Sequence, residues 1–214
     1  MTVMNFVIVP FKNFVDAKSR LRKDISDKQT RKIVKIMLEH VLAEIKKCSN
    51  SFEKYLVTKD EEAIKIAQSQ GIKTLIEKKQ VGESASIDWA SKKLHELGAT
   101  SVLRIPGDLP LIKAEDINEI FEVSNKTNSS ILVPSNSGLG TNAILRKPPG
   151  VIPSFFGPNS MKKHVAAFKE QGANYSIVKN SNIAFDVDTN EDVENLKTLS
   201  EKSPTVISIL NLIN

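Results

Sequence analysis

The chain has 214 residues, of which 40% are hydrophobic and 26% charged, with a formal net charge of +5. That is ordinary for a globular protein and long enough to bury one sizeable core, and no apolar run is long enough to span a bilayer. Cys48 is the only cysteine, which excludes an intrachain disulfide and a cysteine-rich zinc site.

Lys and Arg are interleaved with Glu and Asp, as on solvated helix faces. The positive balance tolerates anionic ligands, but nucleic acid is not an expected partner. The opening stretch MTVMNFVIVPFKN lacks the parts of a signal peptide, so a cytoplasmic protein with no membrane association is expected.

Residues 5–9 read as a first strand. Ile33, Val34, Met37, Leu38, Val41, Leu42 and Ile45 then recur at three- and four-residue steps. This spacing predicts an amphipathic helix, started near Ser26, Asp27 and Thr30. A strand follows over 54–57, then a helix over 60–70 closed by Gly71 and a strand over 72–76. A helix over 84–97 closes at Gly98, before a strand over 101–105 and a helix over 114–124. Such alternation predicts an α/β fold, a parallel sheet with helices on both faces.

After a strand at 130–133 the pattern changes. The strand at 142–145 is reached through the loop SNSGLG, too short for a parallel crossover, so it is expected antiparallel to a neighbour. Next come a helix over 160–171, strands at 175–178 and 183–185, and a helix over 190–200. The apolar tail at 205–213 is expected to dock on the domain or on a second subunit, as in a homodimer. No repeat, low-complexity segment or linker interrupts the chain, so residues 1–214 read as a single domain.

In open alternating sheets, ligands gather outside the carboxyl ends of the strands. The first strand leads into VPFKNFVDAKSRL, with Lys12, Lys18 and Arg20. The strand ending at Ile76 leads into KKQVGESAS, with Gly82 and Ser84 at a helix start. The strand ending at Ile105 leads into PGDLP, with Gly107 and Asp108, and late in the chain FDVDTNED supplies Asp186 and Asp188. Cations and carboxylates together are the inventory for a metal-bound nucleoside triphosphate. Asp186 and Asp188 stand at i and i+2, which in extended chain puts both on one face. With Asp108 they form a hard oxygen site suited to Mg2+. The plainer readings are a helix cap for Asp188 and a solvated turn acid for Asp108.

A second cluster is SGLGTNAIL followed by FFGPNSMKKH. Thr141 and Asn142 offer polar atoms at a strand start, and Pro158-Asn159-Ser160 opens a helix whose amides and dipole favour an anion. The plainer reading there is a capped helix start. His40, His95 and His164 lack metal-ligand spacing and read as surface or packing residues.

PFKNFVDAKSRL, GDLPL, GTNAIL, FGPNSMKKH and DVDTNEDV occur in this order in the CofC-type guanylyltransferases of the deazaflavin coenzyme F-420 pathway. The chain resembles that family over residues 9–196. The resemblance implies a Rossmann-like nucleotidyltransferase fold of the kind shared with nucleotide-diphospho-sugar transferases, with a mainly parallel mixed sheet. It implies transfer from GTP to 2-phospho-L-lactate, phosphoenolpyruvate or 3-phosphoglycerate, with release of pyrophosphate. By the match, Asp108, Asp186 and Asp188 hold Mg2+, while Lys12, Lys18 and Arg20 meet the triphosphate. Gly82 and Ser84 lie beside the nucleoside, and Thr141, Gly157 and Ser160 contact the three-carbon acid.

This sequence has Gly82-Glu83-Ser84 where related enzymes often carry a Gly-Leu-Asn type turn. It also lacks a glycine-rich phosphate loop near its start, which leaves phosphate binding to Lys and Arg side chains. The competing readings are another nucleotidyltransferase of this fold, using a sugar phosphate, a molybdenum cofactor or CTP, and a non-catalytic nucleotide-binding module.

Overall fold

The alternation seen in the sequence becomes one seven-stranded sheet in the computed structural model, which describes residues 4–49, 52–79 and 81–213. The strands are β1 (Asn5–Pro10), β2 (Phe52–Thr58), β3 (Lys73–Ile76), β4 (Ser101–Arg104), β5 (Ser130–Pro134), β6 (Thr141–Arg146) and β7 (Tyr175–Ile177). The helices are α1 (Asp27–Lys47), α2 (Glu61–Ser69), α3 (Glu83–Glu96), α4 (Ala114–Thr127), α5 (Ser160–Glu170), α6 (Ser181–Ala184), α7 (Asn190–Lys197) and α8 (Pro204–Leu210). The strand order is β3-β2-β1-β4-β6-β5-β7. Only β6 runs against its neighbours, pairing antiparallel with both β4 and β5.

Both faces of the sheet are covered. In β1, Val7 and Val9 join the core beneath α1, while Phe6 and Ile8 join a second core beneath α3. A strand buried on both sides must be apolar throughout, which is why NFVIVP shows no alternation. All seven stripe residues of α1 are buried, and the Ser26 hydroxyl accepts the Gln29 amide to start that helix. A third core, with Leu132, Ile144 and Phe168, lies under α5.

One predicted strand is wrong. Residues 183–185 do not extend the sheet; α6 turns there, with the Asn180 side chain accepting the Ile183 amide at 3.0 Å. Three apolar residues are too few for periodicity to separate a strand from a buried helical turn. The final tail is helical and docks on its own chain. Ser203 caps α8, Pro204 opens it, and Val206, Ile209 and Leu210 pack into the main core with α1 and α7. Burying each of these side chains is worth about 2 kcal/mol. No helix among the described residues is long and apolar enough to cross a membrane.

Candidate active site

The antiparallel turn of β6 builds one edge of the site. Arg104, at the end of β4, pairs with Ile144. The start of β6, Thr141 and Asn142, therefore lies beside the carboxyl end of β4. The chain then leaves β4 through Pro106 and Gly107. A Cβ on Gly107 would stand 3.1 Å from Leu38 Cδ1 and 3.6 Å from Val9 Cγ1, so glycine lets this turn sit directly on the core. Asp108 follows, fixed at the sheet edge.

Residues 186–188 are held against this turn by backbone and side-chain bonds. The Val187 amide donates to the Asp108 carbonyl at 3.3 Å. The Asn142 amide nitrogen lies 2.9 Å from Asp186 Oδ1 and 3.0 Å from the carbonyls of Ile183 and Ala184. One carboxylate oxygen from each of Asp108, Asp186 and Asp188 falls within 4.8 Å of the others. Asp188 is not the cap of α7; Thr189 is, accepting the Asp192 amide at 3.3 Å while Asp192 accepts from Thr189 in return.

The acids suit a hard cation. Asp108 Oδ1 is buried and finds no hydrogen-bond partner among the described residues. Burial raises the Asp186 pKa, and the nearby Asp108 carboxylate raises it further. Both observations fit three oxygen ligands that would hold a divalent metal. In this structure Lys18 supplies the neutralising charge, with Nζ bonded to both Asp108 and Asp188. Burial alone would lower the Lys18 pKa, but the attraction of Asp108 and Asp188 outweighs it and raises the pKa well above the usual lysine value. Burial likewise acts to raise the Asp188 pKa, and Lys18, with Arg20, turns the shift downward. Lys18 has φ of 58°, a left-handed conformation unfavourable for a side-chain-bearing residue. Strain of that kind is retained where the surroundings over-determine it.

Two cavities meet here. The first, about 480 Å³, is lined by Lys12, Lys18, Glu77, Gly82, Ser86 and Gly107, among others. The second, about 820 Å³, is lined by Arg20, Thr141, Asn142, Gly157, Ser160 and Asp186, among others. Glu83, Arg104, Pro106, Asp108 and Asp188 line both. Lys12 stands at the exposed mouth of the first, 3.4 Å from Asp16. Gly157, with φ of 117° and open space where a Cβ would lie, lets the chain turn beside the second.

Several expected residues are used differently. Ser84 lines neither cavity, and its hydroxyl accepts the Phe156 amide at 2.9 Å; Ser86, two residues on, does line the first. The amide nitrogen of Asn142 is committed to the 183–186 segment. The start of α5 has no side-chain cap, yet its Ser160 and Met161 amides donate to the carbonyls of Gly157 and Leu139. The helix start therefore offers fewer open amides than the sequence suggests.

Two residues here, Glu77 and Arg104, were not among those expected, and a third, expected as a surface or packing residue, does more than pack. His164 is fully buried, a packing residue of unusual consequence. Its Nε2 accepts the Phe155 amide at 2.9 Å, so Nδ1 carries the proton and lies 3.0 Å from Thr141 Oγ1. The Thr141 amide in turn donates to Ser160 Oγ at 2.8 Å. One imidazole thus ties Thr141, in the wall of the second cavity, to the chain that leads into α5. Burial, assisted by Arg146 and Arg104, lowers its pKa to about 4. Glu77 is buried in the first cavity and accepts from the Ser86 hydroxyl. Arg104 is a charge inside the otherwise apolar run VLRI, and that oddity was its sequence signal.

Comparison with known proteins identifies the family and the fold. The family model described as guanylyl transferase CofC-like matches residues 5–203. A phosphoenolpyruvate guanylyltransferase from Rubrobacter xylanophilus is 30% identical, covering 90% of this chain and 93% of its own. A 2-phospho-L-lactate guanylyltransferase from Methanobrevibacter smithii is 29% identical, covering 92% of this chain and 86% of its own. A solved structure from Desulfovibrio desulfuricans G20, assigned as a nucleotide-diphospho-sugar transferase, superposes with a TM-score of 0.80 at 13% identity. It covers 98% of this chain and 95% of its own, and it shares the fold.

Proposed function

Because this chain belongs to the CofC-like guanylyl transferase family, we propose that it joins GTP to a phosphorylated three-carbon acid and releases pyrophosphate. The acid is phosphoenolpyruvate, 2-phospho-L-lactate or 3-phosphoglycerate, and the product serves coenzyme F-420 biosynthesis in the cytoplasm. The observation that carries this reading is the seam between the two cavities, where Asp108, Asp188 and Arg104 face both. A reaction that joins two phosphates needs such a meeting place.

GTP occupies the first cavity, with Gly82 beside the nucleoside and Gly107 giving the triphosphate a close approach. Lys18 binds the triphosphate, with Lys12 at the mouth, while Arg20, which lines the second cavity and not the first, meets the phosphates from that side. The acid occupies the second cavity against Thr141, Gly157 and Ser160. Asn142 orients Asp186 rather than the substrate. Asp108, Asp186 and Asp188 would hold Mg2+, which when bound screens the phosphates and stabilises charge on departing pyrophosphate.

No general base is needed. A phosphate monoester has a second pKa near 6, so its oxygen is already charged at neutral pH. That oxygen forms a bond to the α-phosphorus of GTP, and the bond from the α-phosphorus to the bridging oxygen breaks. Pyrophosphate leaves with the electron pair. The chain's contribution is positioning two polyanions and offsetting their repulsion, the main tasks in phosphoryl chemistry. Pyrophosphate release from GTP, ATP and CTP with each of the three acids tests the reading. Turnover with CTP or ATP in preference to GTP would contradict it.

A further inference from the structure

Arg104 is unlike the other cations of the site. Lys12 and Lys18 line only the first cavity and Arg20 only the second, while Arg104 lines both. Its side chain is 8% exposed, and it stands at the end of β4, two residues before the turn that carries Asp108. The guanidinium is fixed on two sides. Nη1 donates to the Asn142 carbonyl at 2.6 Å, and the Phe156 ring packs on its face with the guanidinium carbon 4.3 Å from the centroid.

The remaining edge is half used. Nε and Nη2 present parallel N–H groups, a fork that matches two oxygens of one carboxylate or phosphate. Glu83 takes Nη2 only. Nε is buried and finds no acceptor among the described residues. A buried donor left in that state is costly. Glu83 is the weaker partner, since its side chain is 41% exposed and it begins α3, where the helix dipole also favours its charge. It can leave Arg104 for water at little cost.

We infer that Arg104 contacts phosphate at the seam, with its Nε/Nη2 fork on two oxygens of the acid's phosphate beside the α-phosphate of GTP, and that Glu83 occupies this edge only until substrate arrives. The inference rests on the proposed guanylyl transfer and adds a residue to it. Charge builds on the oxygens around the α-phosphorus as the new bond forms, and a desolvated guanidinium is placed to meet it. Lysine cannot reproduce the fork.

The test is a two-by-two set of variants, E83Q, R104M and the double variant, with R104K as the milder change. R104M is expected to lower kcat/KM by about 100-fold and R104K by roughly tenfold, with melting temperatures reported alongside. E83Q is expected to tighten phosphoenolpyruvate binding by about threefold in titration calorimetry, and this gain should vanish in the R104M background. A structural staple gives the opposite sign, with E83Q binding more weakly. A gain that persists without Arg104 marks a general charge effect and overturns the inference. If R104M fails to fold, wild-type kcat/KM in R104K overturns it equally. Wild-type turnover keeps the two questions apart, because its absence refutes guanylyl transfer, whereas its presence with an unaffected R104K refutes only the role of Arg104.

Discussion

Acid should loosen the second cavity through one residue, His164. The imidazole is wholly buried, and its Nε2 accepts a backbone amide. Protonation would set two N–H groups against each other. Arg146, Arg104 and Lys163 further oppose the charge, and only Asp88 favours it. The pKa is lowered from 6.5 to about 4. A drop of that size corresponds to roughly 3 kcal/mol between the two states of the group. Because the folded pKa is depressed, the unfolded chain binds the proton first. The contribution is complete above about pH 6.5 and is lost as the pH falls towards 4. By pH 5 about 2 kcal/mol should be gone. Urea unfolding at pH 7.5 and 5.0, for wild type and His164→Gln, isolates this share from the carboxylates. The stability gap between the two proteins should narrow by about 2 kcal/mol at the lower pH. A gap that stays constant would refute the reasoning, and so would one that widens.

Further outcomes follow from the same contacts. Asn142→Leu removes the amide that holds Asp186, so the activating metal should bind about tenfold more weakly, read as the Mn2+ or Mg2+ concentration for half-maximal turnover. Lys18→Met leaves Asp108 and Asp188 without their shared cation, beside Asp186. Its melting temperature should fall, and added Mg2+ should raise it more than that of wild type. Thr189→Ala removes the cap of α7 next to Asp188 and should cost about 1 kcal/mol in urea unfolding.

The sequence was most legible where one pattern ran long. The α1 stripe and the strand–helix alternation required no knowledge of tertiary contacts, and the short SNSGLG loop was enough to predict that β6 runs against a neighbour, though not that it opposes two. The acids were legible as types, since Asp108 follows a strand and Asp186 and Asp188 alternate. Their grouping around one cation was expected as well, but what holds them together was not legible, because it depends on the Val187 amide meeting the Asp108 carbonyl across 79 positions. His164 was legible as a packing residue but its partners were not, for a similar reason: Thr141 and Phe155 reach it only once β6 and the chain before α5 fold together. The 183–185 segment failed because a short apolar run suits a strand or a helical turn equally, and Asn180 decided it.

Asp108 belongs to the metal-fitting triad and lines both cavities, so guanylyl transfer depends on it from both sides. The decisive measurement is pyrophosphate release by Asp108→Asn with GTP, Mg2+ and phosphoenolpyruvate, with circular dichroism to check the fold. A native spectrum and a rate at least about 100-fold below wild type are expected. A folded variant that turns over at a near-normal rate would contradict it.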